Sequence, residues 1–382
     1  MNRLALDMLT GDRARYLGIV LGVAVAAFLI AQQLAMLNGI IDRITATIRN
    51  LGDVEIWVVD PRVQFADDAK PMADSQLARV RSIDGVAWAV PLYKGNLRVR
   101  LDDGNFQQAI VNGLDDATLI GGPAEMVAGS LKDLREADGI IVDQAGANTK
   151  LARRGPNNQL IPLKLGDTVE LNDHRAIVVG ICKAAQTFQS NPVIYTTYSR
   201  ASIYAPQERK KLTFILAKAK PGEATGPLAA KIQRITGLGA YTNQQFRDMT
   251  QAYFIRETGI VTTFVFGIII SFCVGTMIAG QTFYNFTLEN LRQFGAIKAM
   301  GASNRMILAM IGTQACLVGL NGLGIGIAAA LAWSSRDSEM SMRFSPLQLE
   351  ITVVAVLLIT LTSAWLGARR VLKLDPAIVF KG

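Results

Sequence analysis

Residues 16–41 read YLGIVLGVAVAAFLIAQQLAMLNGII, without a single Asp, Glu, Lys or Arg. A hydrocarbon core about 30 Å thick is crossed by about 20 apolar residues rising about 1.5 Å each, so this stretch is long enough to span a bilayer. Working outward, three more uncharged stretches follow: Thr258 to Leu288, Met306 to Ser335, and the shorter Ile351 to Ala368. The first and second are separated by a long polar segment, Asp42 to Glu257, and the last three crowd into the C-terminal third. This layout predicts an α+β membrane protein: four transmembrane helices with a large mixed α/β domain between the first and second. A cleaved signal peptide competes for residues 16–41, but the apolar run exceeds the usual length of about 7–15 residues and lacks a clear cleavage pattern.

Orientation follows from the basic residues beside the spans, which stay cytoplasmic, whereas long domains cross regardless of charge. Arg3, Arg13 and Arg15 precede the first span, Arg292, Lys298 and Arg305 follow the second, and Arg369, Arg370, Lys373 and Lys381 follow the fourth. The loop Ser334 to Glu350 is mixed, setting Arg336 and Arg343 against Asp337, Glu339 and Glu350. Both termini are therefore expected in the cytoplasm, with the large domain facing outward.

The net charge of +8 and pI near 9.4 could signal nucleic acid, but the excess lies beside the spans, where it complements anionic lipid head groups. No nucleic-acid partner is expected, and the run Glu208 to Lys211 reads as a solvated turn. Cys273 and Cys316 lie in spans and Cys182 stands alone in the large domain, so no intramolecular disulfide framework is available; all three read as buried small hydrophobes. His174 is the one histidine, which excludes multi-histidine metal sites. It follows Asn172-Asp173, a hairpin-turn signal, and reads as a surface residue.

Leu37, Ile40, Ile41, Ile44 and Ile48 fall on one helical face, so the first helix is expected to continue past the span until Asn50-Leu51-Gly52. Phe246, Met249, Tyr253 and Phe254 recur at helical spacing just before the second span. These faces either form an extended helical stalk joining membrane to domain, with Ile40, Ile44, Ile48, Phe246, Met249 and Tyr253 as its packing residues, or simply pack beneath the domain. Periodicity reports burial, not motion.

Between them the reading is a helix at Asp74–Arg81, strands at Val54–Val59, Val86–Val90, Leu97–Leu101 and Phe106–Val111, and a turn at Asp102-Asp103-Gly104. After Gly121-Gly122-Pro123 come a strand at Ile140–Val142, a basic loop from Leu151 to Asn158, and a hairpin of Val169–Leu171 with Arg175–Ile181. Then follow a strand at Val193–Tyr195, a helix near Tyr198–Tyr204, a strand at Thr213–Ala219 and a helix at Thr225–Thr236. Two lobes are expected within 51–245: the first from 51–115 and 192–245, the second inserted at 116–191. The remaining divisions are an amphipathic N-terminus at 1–15, the first span and stalk at 16–50, and the second stalk helix and span at 246–287. A loop helix at 288–305, a span at 306–333, a short loop at 334–350, a span at 351–368 and a tail at 369–382 complete the chain.

No catalytic motif emerges. Asp67-Asp68, Asp102-Asp103 and Asp115-Asp116 are adjacent pairs of the kind turns use. G-x-S-x-G, H-E-x-x-H and EF-hand patterns are absent, and so is any Gly-Lys pair, which removes the phosphate-binding G-x-x-x-x-G-K-[ST] loop. No metal site and no cofactor are expected in this chain, and any ATP and its Mg would sit on another polypeptide. No charged residue lies deep in a span, which disfavours an ion pathway.

The loop between the second and third spans is the most specific feature. Leu288, Leu291, Phe294, Ile297 and Met300 recur every three residues, an apolar stripe that could lie in the membrane interface or dock on a partner. The run Arg292-Gln293-Phe294-Gly295-Ala296-Ile297-Lys298-Ala299-Met300-Gly301-Ala302 resembles the "R-E-I-G-I-L-K-A-[LIM]-G-A" of the MacB/FtsX-like permeases of ABC transport systems, with Gln293 for Glu and Phe294 for Ile. Arg13 to Ala24 is similar to that family's first-span entry, and Ala368 to Ala377 to its closing segment. In the large domain the match lies in layout and in phrases such as Leu165-Gly166-Asp167-Thr168-Val169. A chain without a fused ATPase looks most like the DevC type, associated with lipid or glycolipid export.

The resemblance implies a coupling helix seated on a separate cytoplasmic ABC ATPase, carrying Glu289, Arg292, Phe294, Gly295, Lys298, Met300 and Gly301. It implies a second permease copy across a two-fold axis, and a non-catalytic subunit that transmits ATP-driven motion to its periplasmic domain. A lipid, glycolipid or other amphiphile would then be driven from the periplasmic side through a membrane-fusion adaptor and a TolC-type outer-membrane channel. Alternatives are an FtsX-like transducer regulating a periplasmic hydrolase, and Lol-like lipoprotein extraction. Gly322 and Gly326 form G-x-x-x-G, with Gly312, Gly319, Gly267 and Gly275 nearby in spans; these serve either a dimer contact or packing within one chain.

Overall fold

The computed structural model describes residues 2–11, 13–101, 103–155, 159–206, 212–336 and 342–372. Asp102, Asn158, the run Glu208 to Lys211, Asp337, Glu339 and the tail from Lys373 onward lie outside the described residues. The chain divides into two units, one of residues up to Ile40 and from Gly259 onward, the other Ile41–Thr258.

The first unit is helical. It holds α1 (Asn2–Thr10), most of α2 (Arg13–Ile44), α9 (Ile260–Glu289), α10 (Leu291–Ala299), α11 (Asn304–Arg336) and α12 (Pro346–Leu372). Four of these, α2, α9, α11 and α12, are long and apolar enough to cross a membrane. In α2, 61% of the most apolar window is buried, against 11% in α9, so α2 is the hub of the group. Ile19, Val23 and Ile30 of α2 share a core with Phe283, Ile307, Val318 and Ile359.

Small residues make that packing close. A Cβ on Gly322 would meet Val23 at 2.7 Å, and one on Gly326 would meet the Ala24 carbonyl oxygen and the Ala27 Cβ at 2.6 Å each. Gly275 fits against Ala26, Gly22 against Ile278, and Gly319 against Thr360. The G-x-x-x-G face is therefore spent on α2 of the same chain, the second of the two uses such residues have in membranes. Cys273 and Cys316 are exposed on their helices, contrary to the buried reading, and only Cys182 is buried. Apolar composition is required on both the lipid-facing and the packed sides of a span, so it could not separate them.

The second unit is a mixed sheet with short helices on it. Its strands are β1 (Ile56–Val59), β2 (Val86–Arg100), β3 (Phe106–Leu114), β4 (Glu125–Ala128), β5 (Gly139–Asp143), β6 (Arg153–Arg154), β7 (Leu160–Ile161), β8 (Thr168–Leu171), β9 (His174–Lys183), β10 (Val193–Thr197), β11 (Phe214–Ala219) and β12 (Gly239–Thr242). The order is β12-β1-β11-β2-β3-β10-β5-β9-β4, with β8 against β2 and β9, and β6 with β7 apart. Pairs β10/β3 and β5/β9 are parallel, while the other pairs are antiparallel. The segment 116–191 thus adds β4, β5, β8 and β9 to the sheet that 51–115 and 192–245 begin.

Two expected strands, Val86–Val90 and Leu97–Leu101, are one strand, β2. It pairs with β11 through Leu92 and with β3 from Tyr93, so Pro91, which has no N–H to give, sits beside the exchange of partners. Asn172 and Asp173, both at positive φ, make the tight turn between β8 and β9. His174 opens β9 and is exposed. The helices of this unit are α3 (Ala46–Asn50), α4 (Ser75–Arg81), α5 (Gln144–Asn148), α6 (Tyr198–Tyr204), α7 (Thr225–Thr236) and α8 (Asn243–Glu257), with a 3-10 turn at Leu131–Arg135.

Candidate functional site

The inter-span helix α10 begins after Asn290 breaks the chain at the end of α9, its side chain donating to the Phe286 carbonyl at 2.8 Å. It ends in a Schellman motif. The Ala302 N–H reaches the Ile297 carbonyl at 3.2 Å and the Gly301 N–H reaches Lys298 at 3.1 Å, with Gly301 at φ +97. The glycine is needed there because a side chain is strained in the left-handed conformation.

Of the seven residues expected to couple to a partner, the structure engages four in contacts within the chain, although Glu289 itself stays exposed. Phe294 and Gly295 are buried, Phe294 in the helical core and its stripe-mate Ile297 against Ala5 and Met310. Lys298 donates to the Leu372 carbonyl of α12 at 3.1 Å. Glu289 pairs with Arg15. Arg292, Met300 and Gly301 remain exposed, Met300 at 80%. With Phe294 and Ile297 of the stripe packed against the protein itself, the exposed face presents Arg292, Gln293, Ala296, Ala299 and the stripe's last residue, Met300.

Sequence reasoning missed the other wall of this site. Asp7, Met8 and Gly11 from α1 and its end, with Arg15 from α2, face Glu289, Gln293, Ala296 and Met300 across a groove of about 720 Å³. The buried Gln314 fixes α1 there, its amide donating to the Ala5 carbonyl at 2.7 Å. The amphipathic pattern of the N-terminus was the available signal.

The proposed stalk residues fall in different places. Helix α2 ends at Ile44 rather than continuing, and α3 starts anew at Ala46, because Thr45 leaves helical geometry at ψ 2. Ile40 is half-buried in α2; Ile44, Ile48 and Phe246 are fully buried in the mixed unit. There Phe246 stacks on Trp57 at 5.2 Å and on Tyr241 at 6.0 Å, and Met249 packs against the same core. Tyr253 stacks on Phe65 at 4.7 Å. Helix α8 stops at Glu257, and Gly259, at φ +67, separates it from α9.

What ties α3 into its unit is polar. Thr47 donates to the Asp67 carboxylate, and the buried Lys94 ammonium donates to Asp67, to the Thr47 hydroxyl at 2.9 Å and to the Ala66 carbonyl at 3.2 Å. Burial pushes the Asp67 carboxyl up, but Lys94 and the Thr47 hydrogen bond outweigh it, so the group titrates below its ordinary 3.8. Burial pulls Lys94 below its ordinary 10.5 against the attraction of Asp67. Cys182, pushed up to about 12 by burial, is chemically quiet. Among the described residues, no cluster of three His, Cys, Asp or Glu side chains could hold a metal ion.

Comparison with known proteins agrees with this layout. Residues 16–235 match the model of the MacB-like periplasmic core domain, and residues 262–376 that of the FtsX-like permease C-terminal domain. An ABC transporter permease of Mycobacterium tuberculosis strain H37Rv is 25% identical over 319 residues, 82% of this chain and 80% of that one. One from Methanocaldococcus jannaschii is 24% identical over 235 residues, 58% of each chain. Among solved structures, the periplasmic region of MacB from Actinobacillus actinomycetemcomitans aligns with 53% of this chain and 94% of its own, at 14% identity and TM-score 0.37. The extracellular domain of the transporter YknZ from Gram-positive bacteria aligns with 50% and 99%, at 11% identity and TM-score 0.34.

Proposed function

The chain belongs to the MacB- and FtsX-like family of ABC transporter permeases, a multi-pass membrane family that works with an ATPase partner and as a permease dimer, and from that membership we propose how it acts. It is the non-catalytic membrane subunit of an exporter. A separate cytoplasmic ATPase docks on the exposed face of α10, with α1 as the second wall of the seat. Both termini are cytoplasmic and the mixed unit is periplasmic. Closure of the ATPase dimer moves the spans and, through α2 and α9, the mixed unit, which drives a lipid, glycolipid or other amphiphile toward an adaptor and an outer-membrane channel of the TolC type.

One observation carries this reading: Phe294 and Ile297 of the α10 stripe are buried inside the chain, while Met300, the last of the stripe, stays exposed at the groove and Arg292 is exposed on the same helix. An interfacial helix would give its stripe to lipid. A helix docking in a partner's groove by its apolar face would leave that face open as well, so the contact on α10 falls to Met300 and the polar residues beside it. An ATPase can shift the permease between two states only by its differential affinity for them, so the contact has to be firm.

The test uses the full chain co-purified with its ATPase in lipid nanodiscs. Arg292→Ala and Met300→Glu should each lower permease-stimulated ATP hydrolysis and weaken co-purification, while the melting temperature of the permease stays put. Undiminished coupling in both variants refutes the seat on α10. If coupling is lost but a periplasmic hydrolase, and no adaptor, co-purifies with the complex, the export part of the proposal falls and a transducer takes its place.

A further inference from the structure

The mixed unit contains a cavity of about 790 Å³, inside the range of about 300–1,000 Å³ common to small-molecule sites. One side is aromatic. Phe65 stacks on Tyr253 at 4.7 Å and meets Phe254 edge-on at 5.4 Å, and Phe188 approaches Phe254 at 5.7 Å. The lining is polar as well, with Asp67 and Thr187 among others. Thr187 is 2% exposed and its hydroxyl has no hydrogen-bond partner among the described residues, a cost that a native interior rarely carries without reason. A ligand group reaching that hydroxyl would remove it.

The polar groups define which head group fits. Lys94 lines the cavity, but its three donors are taken by Asp67, Thr47 and Ala66, so it offers nothing to an anion. Asp67 spends one oxygen on Lys94 and Thr47, and its other oxygen accepts no hydrogen bond among the described residues. Asp68 also lines the cavity, but one of its oxygens pairs with Lys70 at 3.3 Å and accepts from the Gln64 N–H at 3.0 Å. Each carboxylate has a lysine partner, so it is the second oxygen of Asp67 and the Thr187 hydroxyl, rather than net charge, that favour a head group bearing hydrogen-bond donors.

We propose that this cavity binds an amphiphile whose apolar body lies on Phe65, Phe188, Tyr253 and Phe254 and whose donor-bearing head, an amine or a sugar, reaches Asp67 and Thr187. The proposal rests on the exporter reading and names where that exporter would hold its cargo outside the membrane. It is independent of α10, because no residue of the cavity belongs to the coupling seat.

Photolabelling of the full chain co-purified with its ATPase in phosphatidylcholine nanodiscs tests it. Three probes share a dodecyl chain with a diazirine near its end and differ in head: primary amine, glucoside or phosphate. Peptides covering Phe65, Phe188 or Tyr253 should be labelled by the amine probe, the glucoside probe or both, and protected by an excess of the unlabelled compound. The arm that labels identifies the head, and the phosphate probe should label these peptides at least tenfold less. Thr187→Val, which keeps shape and removes the hydroxyl, should reduce labelling by about three- to tenfold, the worth of one hydrogen bond. Phe188→Ala, at an exposed position, should reduce it as well. Labelling confined to the spans, equal labelling by the phosphate probe, or labelling unchanged in both variants overturns the site. ATP hydrolysis coupled through Arg292 is read in the same preparation, so failure of the cavity is distinguishable from failure of the exporter reading.

Discussion

Asn50 closes on the backbone of Ala185 from both sides: its amide nitrogen donates to the Ala185 carbonyl at 2.8 Å, and its side-chain oxygen accepts from the Ala185 N–H at 2.7 Å. Its own carbonyl accepts from the Tyr195 hydroxyl at 3.0 Å. Seven residues earlier, Arg43 donates to Gln186 and Ser190 at 2.8 Å each. The segment that leaves α2 is therefore pinned to residues 185–190 by side chains that mimic a strand pair. Asn50→Ala should cost about 1–3 kcal/mol, since it orphans a buried donor and acceptor. Hydrogen exchange at residues 184–191 should quicken, and unchanged exchange there would deny that Asn50 is the pin.

The Lys94 and Asp67 pair is a buried charge satisfied from three sides. Removing one partner leaves an uncompensated charge, so Asp67→Ala should destabilise by about 3 kcal/mol, the low end of the range because Asp67 is partly exposed. Lys94→Met together with Asp67→Leu should recover much of that loss. Denaturant unfolding of the single and double variants measures the difference, and strict additivity would mean that the two side chains do not act as a pair.

Acid should release the same contact. The folded pKa of Asp67 lies below its unfolded 3.8, so its contribution is fully present above that value and lost as pH falls through the folded one. Asp143 runs the other way: burial raises it against hydrogen bonds from the Gly146 and Val193 N–H groups, so its cost grows as pH rises past 3.8. The difference between the native chain and Asp67→Asn isolates the first effect. Melting temperatures from about pH 6 to about pH 3 should fall more steeply in the native chain than in the variant.

Gly326 and Gly324 sit two residues apart on α11 with opposite surroundings. A Cβ at 326 would strike backbone atoms of Ala24 and Phe28 within 2.9 Å, whereas one at 324 meets nothing within 4 Å. Gly326→Ala should destabilise the helical unit by about 1–3 kcal/mol through overpacking. Gly324→Ala should be neutral or better, since alanine favours helix. Thermal unfolding in detergent compares them, and equal melting temperatures would show that α2 and α11 do not pack here.

How much of this was legible beforehand differs between the units. In the mixed unit, alternation and turn residues located most strands and helices, as with the Asn172-Asp173 turn between β8 and β9. Short elements such as β12 and α5 escaped because a handful of residues carries too little periodicity to register. The pairing of β10 with β3 and β5 could not be read either, since strand partners far apart in sequence leave no local trace.

For the proposed coupling site, the sequence located α10 and the glycine that ends it. It could not tell that Lys298 donates to Leu372 of α12, that Glu289 pairs with Arg15, or that α1 builds the second wall of the groove. Those facts depend on chain segments brought together from both ends.

The sequence by itself determined the four spans and the place of the large insertion between the first two, because about 20 consecutive residues without charge satisfy a hydrocarbon layer and little else. Only the tertiary structure decided which side of each span is packed and which of the charged side chains on α10 remain exposed. Lipid and protein interior demand the same apolar chemistry, so burial within a membrane helix is set by shape, through glycines such as Gly322 and Gly326, and not by composition.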